Sequence, residues 1–376
     1  MKKIRKYVFA CLVLLGVGLF FAAGKPVSAE DMTAVVIDGI EYNLTRKQYA
    51  VASIDRVRGD NLKSEIYIPS SVEYEGTTYR VRQFYWGDMG TYDKRRPSFD
   101  RQPWKTVDIA DKEHSYYACL RKITIAKGVL VHGMAYQFDK LEEVILEDAN
   151  DMLDAYYNQC PNLKTLFINA NISENMVDIK NCPSLQVTID SANPYMQVIG
   201  QDIYSKDGKA LYDVVNGSKV YYVRKGVKRI VESGLSYNTS IEKLYLPDSV
   251  IHIGGETIEN LPNLKKIRFG KNMDIFHWGW LEGCPKVKKV YVPAKVEEIH
   301  YNYVFEKMKS VKKIYLYSRN LKKGNLEGAP KSTTIYVKNA AVKKQLKKFG
   351  FKGKVVVKKS LKQTSRGQPK NKGHSK

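Results

Sequence analysis

The chain has 376 residues and a formal net charge of +23 at pH 7, with 62 Lys and Arg against 39 Asp and Glu. Much of the excess lies at the C-terminal end, where fifteen Lys and Arg and no Asp or Glu follow Glu327. The basicity therefore belongs mainly to the C-terminal end. Because the N-terminus described next predicts export, we expect no nucleic-acid partner for this end. The five Cys include no Cys-x-x-Cys pair, which excludes the common zinc modules.

The N-terminus has the features of a secretory signal peptide over residues 1–29. A basic start precedes an apolar run from Tyr7 to Ala23, and Val27-Ser28-Ala29 supplies small residues before Glu30. We expect cleavage there and a secreted, extracellular protein. An uncleaved membrane anchor is the alternative, although the apolar run is shorter than the ~20 residues that a membrane span needs.

A short phrase recurs along the chain, in which one outward residue lies between two apolar residues. It occurs at Ile123-Thr124-Ile125, Val144-Ile145-Leu146, Leu166-Phe167-Ile168, Val187-Thr188-Ile189, Tyr221-Tyr222-Val223, Leu244-Tyr245-Leu246, Ile267-Arg268-Phe269, Val290-Tyr291-Val292, Ile314-Tyr315-Leu316 and Ile335-Tyr336-Val337. Successive phrases begin 21 to 24 residues apart, apart from one step of 34. This period predicts a solenoid whose coils bury their apolar edges against one another, with a strand at each phrase.

Three of the cysteines occupy a recurring apolar position on the return side of the coil. Cys160, Cys182 and Cys284 each precede a proline, and other coils carry Phe, Leu or Met at this position. The pattern predicts buried free thiols. A disulfide between Cys160 and Cys182, which lie on adjacent coils, is the alternative.

The repeat resembles the BspA-type leucine-rich repeat of bacterial secreted and surface proteins. The resemblance covers about Ile66 to Val357, and units such as Leu244 to Ile253 carry its strand, its Pro turn and its return segment. It implies a leucine-rich repeat solenoid, mostly β, as a right-handed stack of coils of about 21–24 residues. Parallel strands would form one face, and short helical or irregular turns the other.

The composition of the two ends and the resemblance of the central part together predict a domain organisation. The expected parts are a signal peptide (1–29), an N-terminal capping region (30–106) with an irregular loop (85–105), the solenoid (107–337) with a hairpin insertion (about 193–219), a C-terminal capping helix and strand (338–359) and a disordered basic tail (360–376). Few apolar residues remain in the tail, so it cannot form a core of its own.

The outward residues of the strand face suggest a binding surface in the C-terminal half. The candidate residues are Tyr222, Tyr245, Arg268, Tyr291 and Tyr315, together with Lys243, Lys266, Lys289 and Lys313 in the preceding outward row. Aromatic planes beside cations suit sugars, acidic polymers or acidic protein patches. The alternative is structural, since tyrosines in register stabilise neighbouring strands and lysines keep an open sheet soluble.

The irregular loop 85–105 supplies a second candidate. It carries Trp86, Arg95, Arg96 and Trp104, an aromatic and basic set outside the repeat period. Such a set is typical of a recognition loop. Alternatively, the side chains of Trp86 and Trp104 fill the interior of the first coil.

The sequence predicts a binding protein and no enzyme. No nucleophile elbow, metalloprotease motif or phosphate-binding glycine loop is present, and no cofactor or metal is expected. We expect a monomeric, adhesin-like surface protein of a Gram-positive bacterium that binds protein or glycan ligands through the strand face. The alternative is a non-covalent binder of anionic wall polymers or lipid heads, through that face and the basic tail.

Overall fold

The opening phrases of the coils form short strands that stack side by side. The structure, a computed structural model, describes residues 32–54, 57–86, 112–132, 134–148, 155–173, 176–215, 217–276, 280–296, 298–299, 308–318 and 330–361. Within these residues the chain is a mostly β solenoid with little helix, as the sequence predicts. No helix in these ranges is long and apolar enough to cross a membrane.

The strand side consists of three parallel ladders. The first ladder joins β4 (Glu65–Ile68), β7 (Lys122–Ile125), β10 (Glu143–Leu146), β12 (Thr165–Ile168) and β14 (Gln186–Ile189). The second ladder joins β18 (Val220–Tyr222), β20 (Lys243–Tyr245) and β22 (Lys266–Arg268). The third ladder joins β24 (Lys289–Val292), β26 (Lys313–Leu316), β27 (Thr334–Val337) and β28 (Lys354–Val357). Because β4 pairs in register with β7, the strand side begins inside the segment predicted as a capping region.

The return side carries shorter parallel ladders. They are formed by β9 (Met134–Tyr136), β11 (Ala155–Asn158) and β13 (Val177–Lys180), by β17 (Ala210–Asp213), β19 (Arg229–Ile230) and β21 (His252–Ile253), and by β23 (Ile275–Phe276) and β25 (Glu298–Ile299). The N-terminal sheet contains β1 (Met32–Ile37), β2 (Ile40–Thr45), β3 (Tyr49–Ser53), β5 (Ser71–Tyr74), β6 (Thr77–Tyr85) and β8 (Leu130–His132). Short helical turns lie at Gly59–Asn61, Lys112–His114 and α1 (Tyr116–Cys119).

The period-2 alternation within each phrase sets which side chains face the core. Leu244, Ile267, Val290 and Ile314 are each at most 2% exposed. The residue that follows each of them points away from the core, and Tyr291 is 38% exposed. The alternation predicted from the phrases is therefore confirmed in these four coils.

Five of the described return segments make the same tight turn before the apolar position that holds Phe, Cys or Leu. Gln137, Gln159, Asn181, Asn260 and Gly283 occupy this turn, with φ between 50° and 62°. This left-handed region is uncommon for residues with a Cβ, although Asn tolerates it better than most. At Gly283 a Cβ would lie 2.1 Å from Oδ1 of Asn260, so this coil requires glycine.

An antiparallel hairpin, β15 (Met196–Ile199) and β16 (Asp202–Ser205), accounts for the step of 34 residues. Asn193, only 1% exposed, holds its base. The amide Nδ2 donates to the carbonyls of Asn169 and Ile172, and Oδ1 accepts from the N–H groups of Tyr195 and Met196. All four hydrogen-bonding positions of this side chain are filled.

The C-terminal coils end in a capping helix and strand. Helix α2 (Ala340–Lys348) begins after Asn339, whose side chain accepts from the N–H of Val342 at 3.0 Å. Val342 and Leu346 face the core, and β28 then pairs with β27. The asparagine cap satisfies one of the free N–H groups at the helix start.

Cys160, Cys182 and Cys284 are buried free thiols, as the repeat position predicts, and the alternative disulfide is absent. Burial also raises the pKa of Cys284 to about 12. The buried thiols are therefore shielded from solvent, and Cys284 stays protonated at neutral pH.

We expect a thiol reagent at neutral pH to leave these three cysteines unlabelled in the native protein and to label them after unfolding. Peptide mapping after each treatment measures this, and the half-buried Cys119 serves as an internal comparison. Native labelling of all three at the rate of Cys119 would contradict the burial assignment.

Candidate functional site

The outward tyrosines of the C-terminal half form two ring stacks. Tyr222 stacks on Tyr245 with ring centroids 4.8 Å apart and planes 14° from parallel. Tyr291 stacks on Tyr315 at 4.6 Å, and Tyr315 on Tyr336 at 4.8 Å, both with planes 11° from parallel. The ring spacing equals that of neighbouring strands, so the strand register places the rings face to face.

This stacking changes what the surface offers to a ligand. A ring inside a stack has its faces covered by its neighbours, so its edge and hydroxyl point outward. The structure therefore differs from the expected row of open aromatic planes. Burial raises the pKa of Tyr291, with Tyr315 adding to this and Lys266 opposing it. This hydroxyl is thus a protonated hydrogen-bonding group at neutral pH.

Arg268 lies between the two stacks, in register with Tyr245. Its side chain is 14% exposed, and Nη2 lies 3.8 Å from Oδ1 of Asp248. Its Nη1 is buried and makes no hydrogen bond to the described residues. The neighbouring Lys266 places Nζ 5.3 Å from the ring centre of Tyr245, within the range of a cation–π contact.

The predicted lysine row lies beside the tyrosines. Lys243, Lys266, Lys289 and Lys313 are all exposed, and the backbone pairs Lys243 with Lys266 and Lys289 with Lys313. Among the described residues, none of the four forms a salt bridge. Like charges on neighbouring strands repel, so this row is electrostatically unfavourable without a counter-ion.

The N-terminal half of the strand side differs in charge, because acidic residues neutralise its cations. Glu142 pairs with Arg121 and with Lys164, and Glu143 pairs with Lys122 at 3.4 Å. Hydrogen bonds from Lys164 and Arg121 hold the pKa of Glu142 below its usual value. The excess of cations on the strand side is thus confined to the C-terminal half.

The N-terminal half instead exposes apolar and aromatic side chains along the same outward row. Tyr67 is 49% exposed, Phe167 is 42% and Ile145 is 37%. Tyr67 was not among the predicted candidates, although Ile66-Tyr67-Ile68 has the form of the repeated phrase. The strand face thus has an apolar N-terminal part and a cationic, tyrosine-rich C-terminal part, which we call the Tyr/Lys face.

Trp86 is not part of a recognition surface. It is 1% exposed and contacts the rings of Phe84, Phe138 and Tyr157 edge-on. The prediction of a binding role for Trp86 is therefore wrong, and the alternative is correct: its side chain fills the interior of the first coil. The other members of that candidate set, Arg95, Arg96 and Trp104, lie outside the described residues, as does the tail from residue 362.

No metal site accompanies the Tyr/Lys face in the described ranges. No group of three or more His, Cys, Asp or Glu side chains there is arranged to hold a metal ion. The chemistry available at this face is therefore that of ammonium groups, one guanidinium and phenol hydroxyls.

Comparison with known families accounts for the repeat. Residues 228–350 match the model of the BspA type leucine rich repeat region in six copies. The chain carries a BspA-type leucine-rich repeat region. The matched segment contains β20, β22, β24, β26 and β27, and hence most of the Tyr/Lys face. No curated protein matches the chain.

Several solved structures are similar to this chain. The pneumococcal vaccine antigen PcpA is 13% identical, with a TM-score of 0.48, over 87% of this chain and 98% of its own. A leucine rich cell surface protein from Faecalibacterium prausnitzii is 14% identical, with a TM-score of 0.37, over 83% and 97%. A leucine-rich repeat protein from Eubacterium ventriosum is 13% identical, with a TM-score of 0.41, over 79% and 95%.

Proposed function

We propose that this chain is a secreted binding protein whose Tyr/Lys face holds an extended anionic polymer of the cell envelope. The observation that carries the proposal is the row of four exposed lysines, one per coil, with no salt bridge to any described residue. The signal peptide expected from the sequence supports export, and the basic tail would add to the attraction for anionic material.

The geometry of the lysine row favours a repeating anion over a compact one. Neighbouring strands are ~4.8 Å apart, so four lysines extend over about 14 Å along the solenoid axis. A polymer with regularly spaced charges would meet each ammonium group in turn, whereas a single small anion would neutralise one or two. The tyrosine hydroxyls beside the lysines would donate hydrogen bonds to the same oxygens.

The ring stacks also favour an anionic polymer over a neutral glycan. Neutral sugars bind aromatic residues through ring faces, and here stacking covers many of those faces. An acidic protein ligand, which would make the chain adhesin-like, fits the charge equally well but gains less from the even spacing. It is therefore the second candidate.

Two triple variants of equal net charge test the proposal, one altered on the Tyr/Lys face and one altered on helix α2. We expect Lys243→Gln, Lys289→Gln and Lys313→Gln together to weaken binding of inorganic polyphosphate about tenfold or more, since three ion pairs of up to ~1 kcal/mol each are lost. Binding is measured by titration calorimetry at low and high salt, with neutral dextran as the uncharged polymer.

The control variant removes three exposed lysines from helix α2, by Lys343→Gln, Lys344→Gln and Lys348→Gln. It has the same net charge as the first variant and an intact Tyr/Lys face. Equal weakening in both variants would mean that only the total charge matters, and the proposed site would be abandoned. A surface protein captured through the face in a salt-resistant way would favour the second candidate.

A further inference from the structure

Two buried charged side chains meet where the solenoid is interrupted. Strand β13 ends one return-side ladder and β17 begins the next. Lys180 on β13 and Asp213 on β17 have side chains that are 2% and 1% exposed. The Nζ of Lys180 donates to Oδ1 of Asp213, in direct contact. The amine nitrogen therefore lies beside the carboxyl group with little access to solvent.

Two further groups surround this pair. The backbone N–H of Ile179 donates to the other carboxyl oxygen of Asp213, Oδ2, at 2.7 Å. The carboxylate of Asp178 lies 3.2 Å from Nζ of Lys180 and is 24% exposed. The thiol of Cys182 and the carboxyl group of Asp202 also interact electrostatically with Lys180. Lys180 is thus surrounded by more carboxylates than one cation can neutralise.

Burial favours the protonated form of Asp213. It raises the pKa of Asp213 to about 7, although Lys180 opposes the shift, so a protonated carboxyl group is accessible at neutral pH. Desolvation lowers the pKa of Lys180, but Asp213 and Asp178 outweigh it and the pKa is raised. The resting pair is therefore an ion pair that becomes neutral by moving one proton from nitrogen to oxygen.

We propose that Lys180 and Asp213 condense to an intramolecular isopeptide bond, with Asp178 relaying the proton. This inference is independent of the proposed binding function, because the junction lies in the interior and not on the strand face. No external oxidant or activated donor is required, since an ammonium and a carboxylate yield an amide and one water.

The condensation proceeds by proton transfer, attack of the amine on the carboxyl carbon and loss of water. A proton passes from Nζ of Lys180 to the carboxylate of Asp213, leaving a neutral amine and a neutral carboxyl group. The nitrogen lone pair attacks Cγ of Asp213, forming the C–N bond, while the negative charge develops on Oδ2. The nitrogen then gives a proton to Asp178, which passes it to the hydroxyl on Oδ1. The C–O bond breaks, water leaves, and Asp178 is again a carboxylate.

The arrangement supplies what this reaction needs. The nucleophile contacts the carboxyl group, the Ile179 N–H donates to the oxygen that becomes negative, and a second carboxylate is within reach of the proton. Forming the amide also removes two opposite charges from an interior where both lack hydration. The covalent link would span the place where the return-side ladder is broken.

Intact-mass spectrometry tests the proposal directly. We expect the purified native chain to be lighter by one water, about 18 Da, than the mass calculated from its sequenced N-terminus. Tryptic digestion should yield a branched peptide joining the β13 and β17 segments. A native chain of full calculated mass with only linear peptides from both segments would overturn the proposal.

Variants separate the roles of the three side chains. Lys180→Arg and Asp178→Asn should each restore the full mass, and Asp213→Asn should lose ammonia, about 17 Da, in place of water. If Lys180→Arg fails to fold, the nearly isosteric Asp178→Asn still supplies the test. Lys271→Arg is the control, because Lys271 pairs with Asp248 at 3.5 Å on the surface and should leave the water loss unchanged. Water loss that persists in Lys180→Arg or Asp178→Asn would also overturn the assignment.

Discussion

Replacing Trp86 by Ala is expected to lower the free energy of unfolding by about 3–5 kcal/mol, the range for truncating a buried tryptophan. The indole is 1% exposed, and its centroid lies 5.3 Å from those of Phe84 and Phe138. Tyr157 adds a third edge-on contact at 6.1 Å. The truncation would leave a cavity that rigid neighbouring coils cannot close. Urea unfolding followed by circular dichroism measures the effect.

Phe167→Ala provides the matched control, since Phe167 is an aromatic residue on the same half of the solenoid but 42% exposed. We expect it to change the free energy of unfolding by about 1 kcal/mol or less, because surface substitutions rarely do more. Similar losses in both variants would show that Trp86 does not fill the core.

Asn193→Ala is expected to cost about 2–4 kcal/mol of folding stability, because each buried polar group left without a partner costs ~1–3 kcal/mol. The substitution removes partners from two carbonyls, of Asn169 and Ile172, and from two N–H groups at the start of the hairpin. Since the side chain is 1% exposed, water does not replace them readily. Chemical denaturation at constant pH measures the loss.

Asn162→Ala is the corresponding control. Asn162 is exposed and makes one hydrogen bond, from Nδ2 to the carbonyl of Asp139. We expect a change within about 0.5 kcal/mol, as at most surface positions. An Asn193→Ala variant as stable as this control would mean that the hairpin base does not depend on the buried amide.

The repeat made the strand side predictable, because period-2 alternation and a nearly constant step specify both the strands and their stacking. Leu244 and Val290 could be assigned to the core for this reason. The ring stacks were harder to anticipate, since the phrase Val290-Tyr291-Val292 fixes the direction of the side chain but not its rotamer. Only the register of neighbouring strands brings Tyr291 and Tyr315 face to face.

The buried ionic group was missed because lysines in strands usually face solvent. A signal was nevertheless present. Lys180 lies two residues before the apolar position of its coil, where other coils carry Tyr136, Asn158, Glu259 or Glu282. A lysine at a position where these other coils carry neutral or acidic residues could have marked Lys180 as unusual. Its partner Asp213 falls within the predicted insertion (about 193–219), which the repeat does not describe, although the structure places it on β17 of the return side.

The break between β13 and β17 has a consequence for how the chain unfolds. Coils of a solenoid are stabilised mainly by their neighbours, so local unfolding spreads from coil to coil until it meets an interface of different strength. The strand side is broken at the same place, between β14 and β18, and the buried apolar side chains form two clusters that meet there. Side chains carry the connection, through Lys180 with Asp213 and through Asn181, whose Nδ2 donates to the carbonyl of Tyr237. We therefore expect this contact to decide, under tension along the solenoid axis, whether the two halves unfold one after the other or together.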